Sequence, residues 1–344
     1  MKAAVWKQKG RFDIEEAPAP VPAAEEVVIR IEYCGVCGTD LHRAYTQGEI
    51  EPGVVIGHEY CGRVAMVGSA VSMWKEGDRV VCASGDPEEE TATQSAGPKP
   101  RPRFTPRMVA RTGAPGTLQQ GGFAEYKRMR AANALRIPDS IDDLTASLIE
   151  PCAVAVHALE RARIGLGERL GIIGLGPIGL LILQVAKAAG ALEVYGVDPS
   201  PVRRRAALDL GIDAAFDPRH TDAVEALVSA TAGGPEVVFD CAGAPTTLDQ
   251  ALTAVRTNGR VVLVGICWDQ VTLNPVEWIG RNVQLLSMYA YSRRHCELSL
   301  KLIGGGKIRN AAMIRPEWIF PLDCIHQAFE RSLEATLVKA VIRP

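Results

Sequence analysis

Three short segments of the chain carry residue types that can bind a metal or move a proton. CGVCGTDLH at 34–42 presents Cys34, Cys37, Thr39, Asp40 and His42 within nine residues. GHE at 57–59 sets His58 beside Glu59. EPCAVAVH at 150–157 holds Glu150, Cys152 and His157. Singly, each is modest. The CxxC pair at 34 and 37 fits half a zinc ribbon, a redox pair or two buried thiols. No second CxxC exists in the 344 residues, and nothing thioredoxin-like surrounds this one.

A fourth segment, GLGPIG at 174–179, is suited to a dinucleotide because of what flanks it. An apolar strand is expected at 170–173, a helix at 177–189, and a second strand at 194–197 that ends in Asp198. Gly174 permits the tight turn, Gly176 the approach of a pyrophosphate to the backbone, and Gly179 close helix–strand packing. Pro177 suits a first helical turn, and with Ile178 it completes the cofactor-binding turn. The helix N-terminus favours phosphate. Asp198 is placed to accept hydrogen bonds from ribose hydroxyls and to repel a 2′-phosphate, which favours NAD over NADP. Arg203, Arg204 and Arg205 form either a solvated helix face or a 2′-phosphate clamp. Arg203 is retained as a cofactor-binding candidate.

The elements that must position these groups fall into an α/β pattern. Residues 1–153 read as short β-branched strands between Gly, Pro and Asp turns, among them 27–31, 62–67 and 79–82. Residues 154–290 alternate strands and helices, as βαβ units of a parallel sheet do. Within them strands are expected at 236–240 and 260–264, with a helix at 246–255. Residues 291–344 break that rhythm. Helices at 297–302 and 323–332 and a last strand at 339–342 are expected to return to the first unit. Between 84 and 120 an irregular excursion is expected, with Pro98, Pro100, Pro102, Pro106 and Pro115 behind the acidic DPEEE at 86–90.

Composition removes other classes. With 38 basic and 40 acidic side chains, nothing draws the chain to nucleic acid or a membrane surface. The uncharged run at 170–186 is short of a membrane span, and glycines divide it. Lysines at 2, 7 and 9 interrupt the N-terminus, so no signal peptide is read there. Nine cysteines, an odd and sparse count, fit a reducing cytoplasm.

Taken together, the CGTD, GHE and EP segments, GGFAEY at 121–126 and the glycine turn resemble the zinc-dependent medium-chain dehydrogenase/reductase superfamily. Within it they resemble the sorbitol and butanediol dehydrogenase-like members. The resemblance runs the whole chain. It implies a discontinuous GroES-like β domain around a Rossmann domain. Cys37 and His58 match zinc ligands. Glu59 matches a direct or switching ligand, and Glu150 a carboxylate near zinc; Cys152 is a minor alternative. Mixed S, N and O donors with an open fourth position suit catalytic zinc. Asp40 is expected to orient His58. Thr39 is expected to bond the substrate hydroxyl and His42 to pass its proton to solvent through the nicotinamide ribose.

The implied reaction is the reversible oxidation of a secondary alcohol, diol or polyol to a ketone by hydride transfer to the nicotinamide. Pocket candidates are Tyr45, Tyr291, Phe104 and Trp268. Sorbitol dehydrogenases place an arginine where this chain has Ala290, which tilts the expectation away from a polyol. Relatives often carry a structural zinc on a four-cysteine lobe; between 81 and 120 this chain has only Cys82, so one zinc per subunit is expected. A homo-oligomer, dimer or tetramer, is expected by the same resemblance. The competing readings are a zinc-free quinone or enoyl reductase and a non-catalytic NAD-binding protein. Cys34, Cys61 and Cys82 are expected to be buried and His157 to be a packed helix residue, with no role for His220, His295 or His326.

Overall fold

The computed structural model describes residues 1–45, 52–83 and 121–344. The proline-rich excursion and Phe104 lie outside the described residues. The N-terminal part contributes β1 (Lys2–Gln8), β2 (Arg11–Glu16), β3 (Glu26–Gly35), α1 (Gly38–Tyr45), β4 (Val54–Val55), β5 (Glu59–Val67), β6 (Arg79–Cys82), β7 (Tyr126–Arg130), β8 (Ala134–Arg136), α2 (Asp143–Ala146) and α3 (Ile149–Ala162). The middle contributes β9 (Arg169–Ile173), α4 (Pro177–Ala188), β10 (Glu193–Val197), α5 (Pro201–Asp209), β11 (Ala214–Phe216), α6 (Ala223–Ala230), β12 (Val237–Asp240), α7 (Thr247–Ala254), β13 (Arg260–Leu263), α8 (Pro275–Gly280) and β14 (Gln284–Ser287). The chain ends with α9 (Arg293–Gly304), β15 (Ile319–Pro321), α10 (Ile325–Leu333) and β16 (Val341–Arg343).

β3 is the spine of the first sheet. Val27, Val28 and Ile29 are fully buried, and the strand pairs antiparallel with β5, β7 and β16. The C-terminal strands therefore close onto strands from the first third of the chain, in the order β15-β16-β3-β5-β6-β8. A small sheet, β2-β1-β4, lies apart from it in the pairing.

The middle sheet is parallel throughout, in the order β11-β10-β9-β12-β13-β14. Numbered within the sheet, that is 3-2-1-4-5-6, the doubly wound order, with its switch point between β9 and β12. Strands buried on both faces read as continuous apolar runs, and β9 does so through Leu170, Ile172 and Ile173. One face packs Val238, Val261, Leu227, Ala251 and Val255 into a core of its own. The other joins the larger core that runs through the rest of the molecule. α3 joins the two sheets: it passes unbroken through the expected boundary at 153 and packs on both α4 and α9.

Candidate metal centre and cofactor turn

Cys37 sits between the end of β3 and the start of α1. Asp40, in the first turn of that helix, is fully buried, and its Oδ2 accepts the Cys37 backbone N–H at 3.1 Å. Its Oδ1 lies 3.3 Å from His58 Nδ1. One carboxylate therefore steers two candidate ligands. The chain reaches His58 through Gly57, whose φ of +101° favours glycine. A Cβ there would come within 3.0 Å of both Cys34 Sγ and the Phe123 ring. Burial disfavours a charged His58, but Asp40 and Cys37 outweigh it and hold its pKa well above the usual imidazole value. A cation bound at this imidazole would take the place of that proton.

Glu59 opens β5. The ligand atoms of Cys37, His58 and Glu59 all lie within 4.8 Å of one another. A thiolate, an imidazole and a carboxylate at that spacing fit a zinc ion with room for a further ligand. Glu59 is itself engaged: Lys339, 1 % exposed, forms an ion pair with Glu59 Oε2 and donates to the Val36 carbonyl at 3.0 Å. Burial works against a charged Lys339, yet Glu59 and Cys37 keep its pKa above the ordinary lysine value. The sequence reading passed over Lys339. Its one signal was a charged residue inside the terminal apolar run LVKAVI at 337–342.

Glu150, in the first turn of α3, is buried and falls outside the three-residue cluster among the described residues. Burial lifts its pKa to about 7; His58 opposes the rise and Glu59 adds to it. Tyr291 interacts favourably with this carboxylate and works against the rise. Thr39 and His42 are half-buried and three residues apart on α1, so they share a helix face. The His42 ring stacks on Trp268, with centroids 3.9 Å apart and planes 3° from parallel. Trp268 follows β13, at the C-terminal edge of the parallel sheet where doubly wound folds bind ligands. The stack therefore bridges the two sheets' loops.

The glycine turn forms as its sequence demands. Gly174 has φ +94°, and a Cβ there would meet the Ala242 nitrogen at 2.8 Å. Gly176, at the start of α4, is different: the nearest atom to a Cβ would be Arg203 Nη1 at 3.8 Å. Ile178 is half-buried in the first turn behind Pro177. Asp198 is 3 % exposed and ties the turn together: Oδ2 accepts Leu175 N–H at 2.8 Å and Oδ1 accepts Ser200 N–H at 2.7 Å. Each oxygen keeps a lone pair for a ribose hydroxyl.

The three arginines part company. Arg205 pairs with Asp209 on the exposed face, and Arg204 with Asp217. Arg203 turns toward Gly176, and its buried Nε has no hydrogen-bond partner among the described residues. The solvated-face reading therefore holds for Arg205 and fails for Arg203. A half-buried guanidinium whose buried Nε lacks a partner among the described residues, beside an open backbone turn, fits an anionic cofactor.

Other candidates lie elsewhere. Cys152 faces Ser299 on α9, and burial pushes its thiol up to about 12, so it does not join Cys37. Cys34, Cys61 and Cys82 are buried, and no disulfide forms among the described residues. The Tyr45 ring lies over Gly10 in the β1–β2 turn. Two histidines given no role have partners: His326 Nε2 accepts the Phe12 N–H at 3.1 Å, and His295 contacts both Glu160 and His157. A cavity of about 320 Å³ opens among Val156, Leu159, Val185, Leu298 and Leu302; none of the candidate ligands lines it. No helix among the described residues is long and apolar enough to cross a membrane.

Known proteins resemble the chain along its whole length. The family model for the alcohol dehydrogenase GroES-like domain matches residues 23–139, and that for zinc-binding dehydrogenase matches 177–304. The chain is similar to sorbitol dehydrogenase of Bacillus subtilis (strain 168), 32% identical over 97% of this chain and 94% of the relative. It is 30% identical to (R,R)-butanediol dehydrogenase of the same organism, over the full length of both. Among solved structures it is similar to one from Sinorhizobium meliloti 1021, described as a zinc-binding dehydrogenase and bound to NADP. That match has a TM-score of 0.84 and 29% identity over 100% of this chain and 99% of the other.

Proposed function

The chain belongs to the zinc-type alcohol dehydrogenase family, and from that premise we propose that it oxidises a secondary alcohol or diol with NAD at one zinc per subunit. Membership makes it an oxidoreductase that works with zinc and a nicotinamide cofactor. The observation that carries the site assignment is the convergence of Cys37, His58 and Glu59, steered by Asp40. Bound there, zinc would supply Lewis-acid activation of an alcohol oxygen and the nicotinamide a hydride acceptor.

The chain's own residues do the rest. Asp40 at Nδ1 fixes the tautomer of His58 and leaves Nε2 as the ligand atom. Glu59, now paired with Lys339, or the buried Glu150 would supply the carboxylate that holds the metal. Thr39 would hydrogen-bond the alcohol hydroxyl and relay its proton, giving up its own to the nicotinamide ribose, from which His42 would pass a proton to solvent. Trp268 and Tyr291 give the pocket aromatic walls, which suit a substrate with few hydroxyls.

Asp198 supports NAD through its place at the end of β10, with Arg203 directed at the phosphates of the turn. A homo-oligomer is supported by β14, the edge strand of the parallel sheet, and by Val276 and Ile279 on the preceding helix, 72% and 68% exposed.

An oxidation screen across secondary alcohols, diols, polyols and cyclic alcohols, run with NAD and NADP, tests the reading. Turnover on a secondary alcohol or diol with NAD is expected; a marked preference for NADP would overturn the cofactor assignment. Metal analysis is expected to return one zinc per chain, and two would overturn the single-site reading.

A further inference from the structure

Glu150 and His157 are seven residues apart on α3, which puts them on one face of the helix, about two turns from each other. Both reach the same two residues of the segment between β14 and α9. Tyr291 interacts with the Glu150 carboxylate, and His157 Nδ1 lies 2.8 Å from the Ala290 carbonyl. Ala290 is an exposed residue with φ +53°, a left-handed backbone that costs a non-glycine residue about 1–2 kcal/mol. Something must hold it there.

We propose that His157 is a positioning residue, which captures the Ala290 carbonyl and so holds Tyr291 against Glu150. A carbonyl can only accept, so the His157 proton sits on Nδ1. Burial, with the neighbouring His295, disfavours the cationic ring. His295 braces it: the two rings stack with centroids 4.7 Å apart and planes 18° from parallel. His295 is itself locked at both nitrogens. Nδ1 accepts the Ser292 N–H at 2.9 Å, which leaves Nε2–H to donate to Glu160 Oε2 at 2.6 Å. Glu160 is also held by Arg294 at 2.6 Å. The run Glu160, His295, His157, Ala290, Tyr291, Glu150 therefore begins and ends on one helix, and it sets the residue that orients a carboxylate of the proposed site. The inference rests on the reading that Glu150 faces the metal.

Zinc affinity of the purified full-length protein, measured by chelator competition, tests it without a substrate. Loss of an orienting partner typically costs 10–100-fold in metal affinity. Tyr291→Phe and His157→Leu are each expected to weaken zinc binding by about 10-fold, and the double variant no further than Tyr291→Phe alone. His157→Asn keeps an N–H donor at the Nδ1 position and is expected to restore most of the affinity. His157→Gln moves that donor to the Nε2 position and is expected to behave as His157→Leu; it carries the comparison should the leucine variant not fold. Nitrogen-15 spectra of histidine-labelled protein are expected to show His157 as the Nδ1–H tautomer. Unchanged affinity in Tyr291→Phe would overturn the metal-facing reading of Glu150, and the positioning role with it. A weakened Tyr291→Phe with an unaffected His157→Leu, with additive losses, or with an Nε2–H ring would overturn the positioning role alone.

Discussion

The candidate metal centre and the candidate cofactor turn are built from opposite materials. The first is made of side chains: Cys37, His58 and Glu59 converge from the start of α1 and the start of β5, and Asp40 and Lys339 hold them from behind. The second is made of backbone. At Gly176 there is no side chain at all, and Asp198 works by gripping two N–H groups. A side-chain site fails when one donor is removed. A backbone site fails when one atom is added. Charge follows the same division. The metal centre pairs its buried charges internally, Lys339 with Glu59 and Asp40 with His58. The cofactor turn leaves Arg203 Nε buried with no hydrogen-bond partner among the described residues; Asp40 Oδ1, 3.3 Å from His58 Nδ1, is likewise without a hydrogen bond but faces a charge partner.

The largest effect should come from taking a donor out of the metal centre. His58→Ala removes the imidazole that Asp40 steers. Zinc binding is expected to collapse and turnover to fall by about three orders of magnitude, the scale of several kcal/mol of lost charge stabilisation. NAD binding, followed by fluorescence titration, should survive. Full activity in this variant would sink the metal assignment. Lost NAD binding would show the two regions to be less separate than the geometry indicates.

The mirror experiment adds atoms to the other site. A Cβ at Gly176 meets no backbone and only the edge of Arg203. Gly176→Val is therefore expected to fold with an unchanged Tm and unchanged zinc content. Its NAD affinity should fall about 100-fold, equivalent to losing one or two charge-assisted hydrogen bonds to phosphate. A normal NAD affinity here would mean that the pyrophosphate does not lie against this turn.

This contrast also decides what was legible in the sequence. GLGPIG at 174–179 is contiguous, and local patterning placed its strand, helix and following strand within a residue or two of β9, α4 and β10. Strand 79–82 was read with its observed bounds. The metal centre was legible only as scattered pieces, because Cys37 and His58 meet through the Gly57 turn and the buried Asp40, neither of which has a periodic signature. Lys339 was invisible for a plainer reason: its partner Glu59 is 280 residues away in the chain. β1 and β2 carry little strand signal, because lysines, arginines and glutamates flank Ala3, Ala4, Val5, Trp6 and Phe12, which are buried on both faces of the ribbon. His295 looked isolated because its partners, His157 and Glu160, lie on a helix more than 130 residues earlier.

A smaller effect sharpens the electrostatic half of the comparison. Arg203→Leu removes the orphaned guanidinium. Burial already lowers the pKa of this arginine, with Asp198 opposing. An unsatisfied buried polar group costs stability, so the cofactor-free variant is expected to melt at the wild-type temperature or above it. NAD affinity should drop about 10-fold, the worth of one hydrogen bond to a charged group. Calorimetry with and without NAD reads both at once. A destabilised cofactor-free variant would mean that Arg203 serves the fold instead of the ligand.

The smallest effect belongs to a charge pair that shares the metal centre's chemistry but not its burial. Asp78 binds Arg136 through both oxygens, at 2.8 and 3.0 Å, while the Arg136 side chain is 56% exposed. The Arg136 hydrogen bond holds the Asp78 carboxyl below its usual range. The sign follows from linkage. A folded pKa below the unfolded value of about 3.9 gives stability that is fully present above it and lost as pH falls through the folded value. Solvent screening keeps the gain to a fraction of ~1 kcal/mol. Asp78→Asn should thus lower Tm slightly at pH 7, and the gap to the parent should close as pH drops below about 4 and the parent's own carboxylate takes up its proton. A gap that stayed constant with pH would mean that the pair acts through packing of Arg136 on Trp74, 4.9 Å away, and that charge carries weight here only where, as at Glu59 and Lys339, water is kept out.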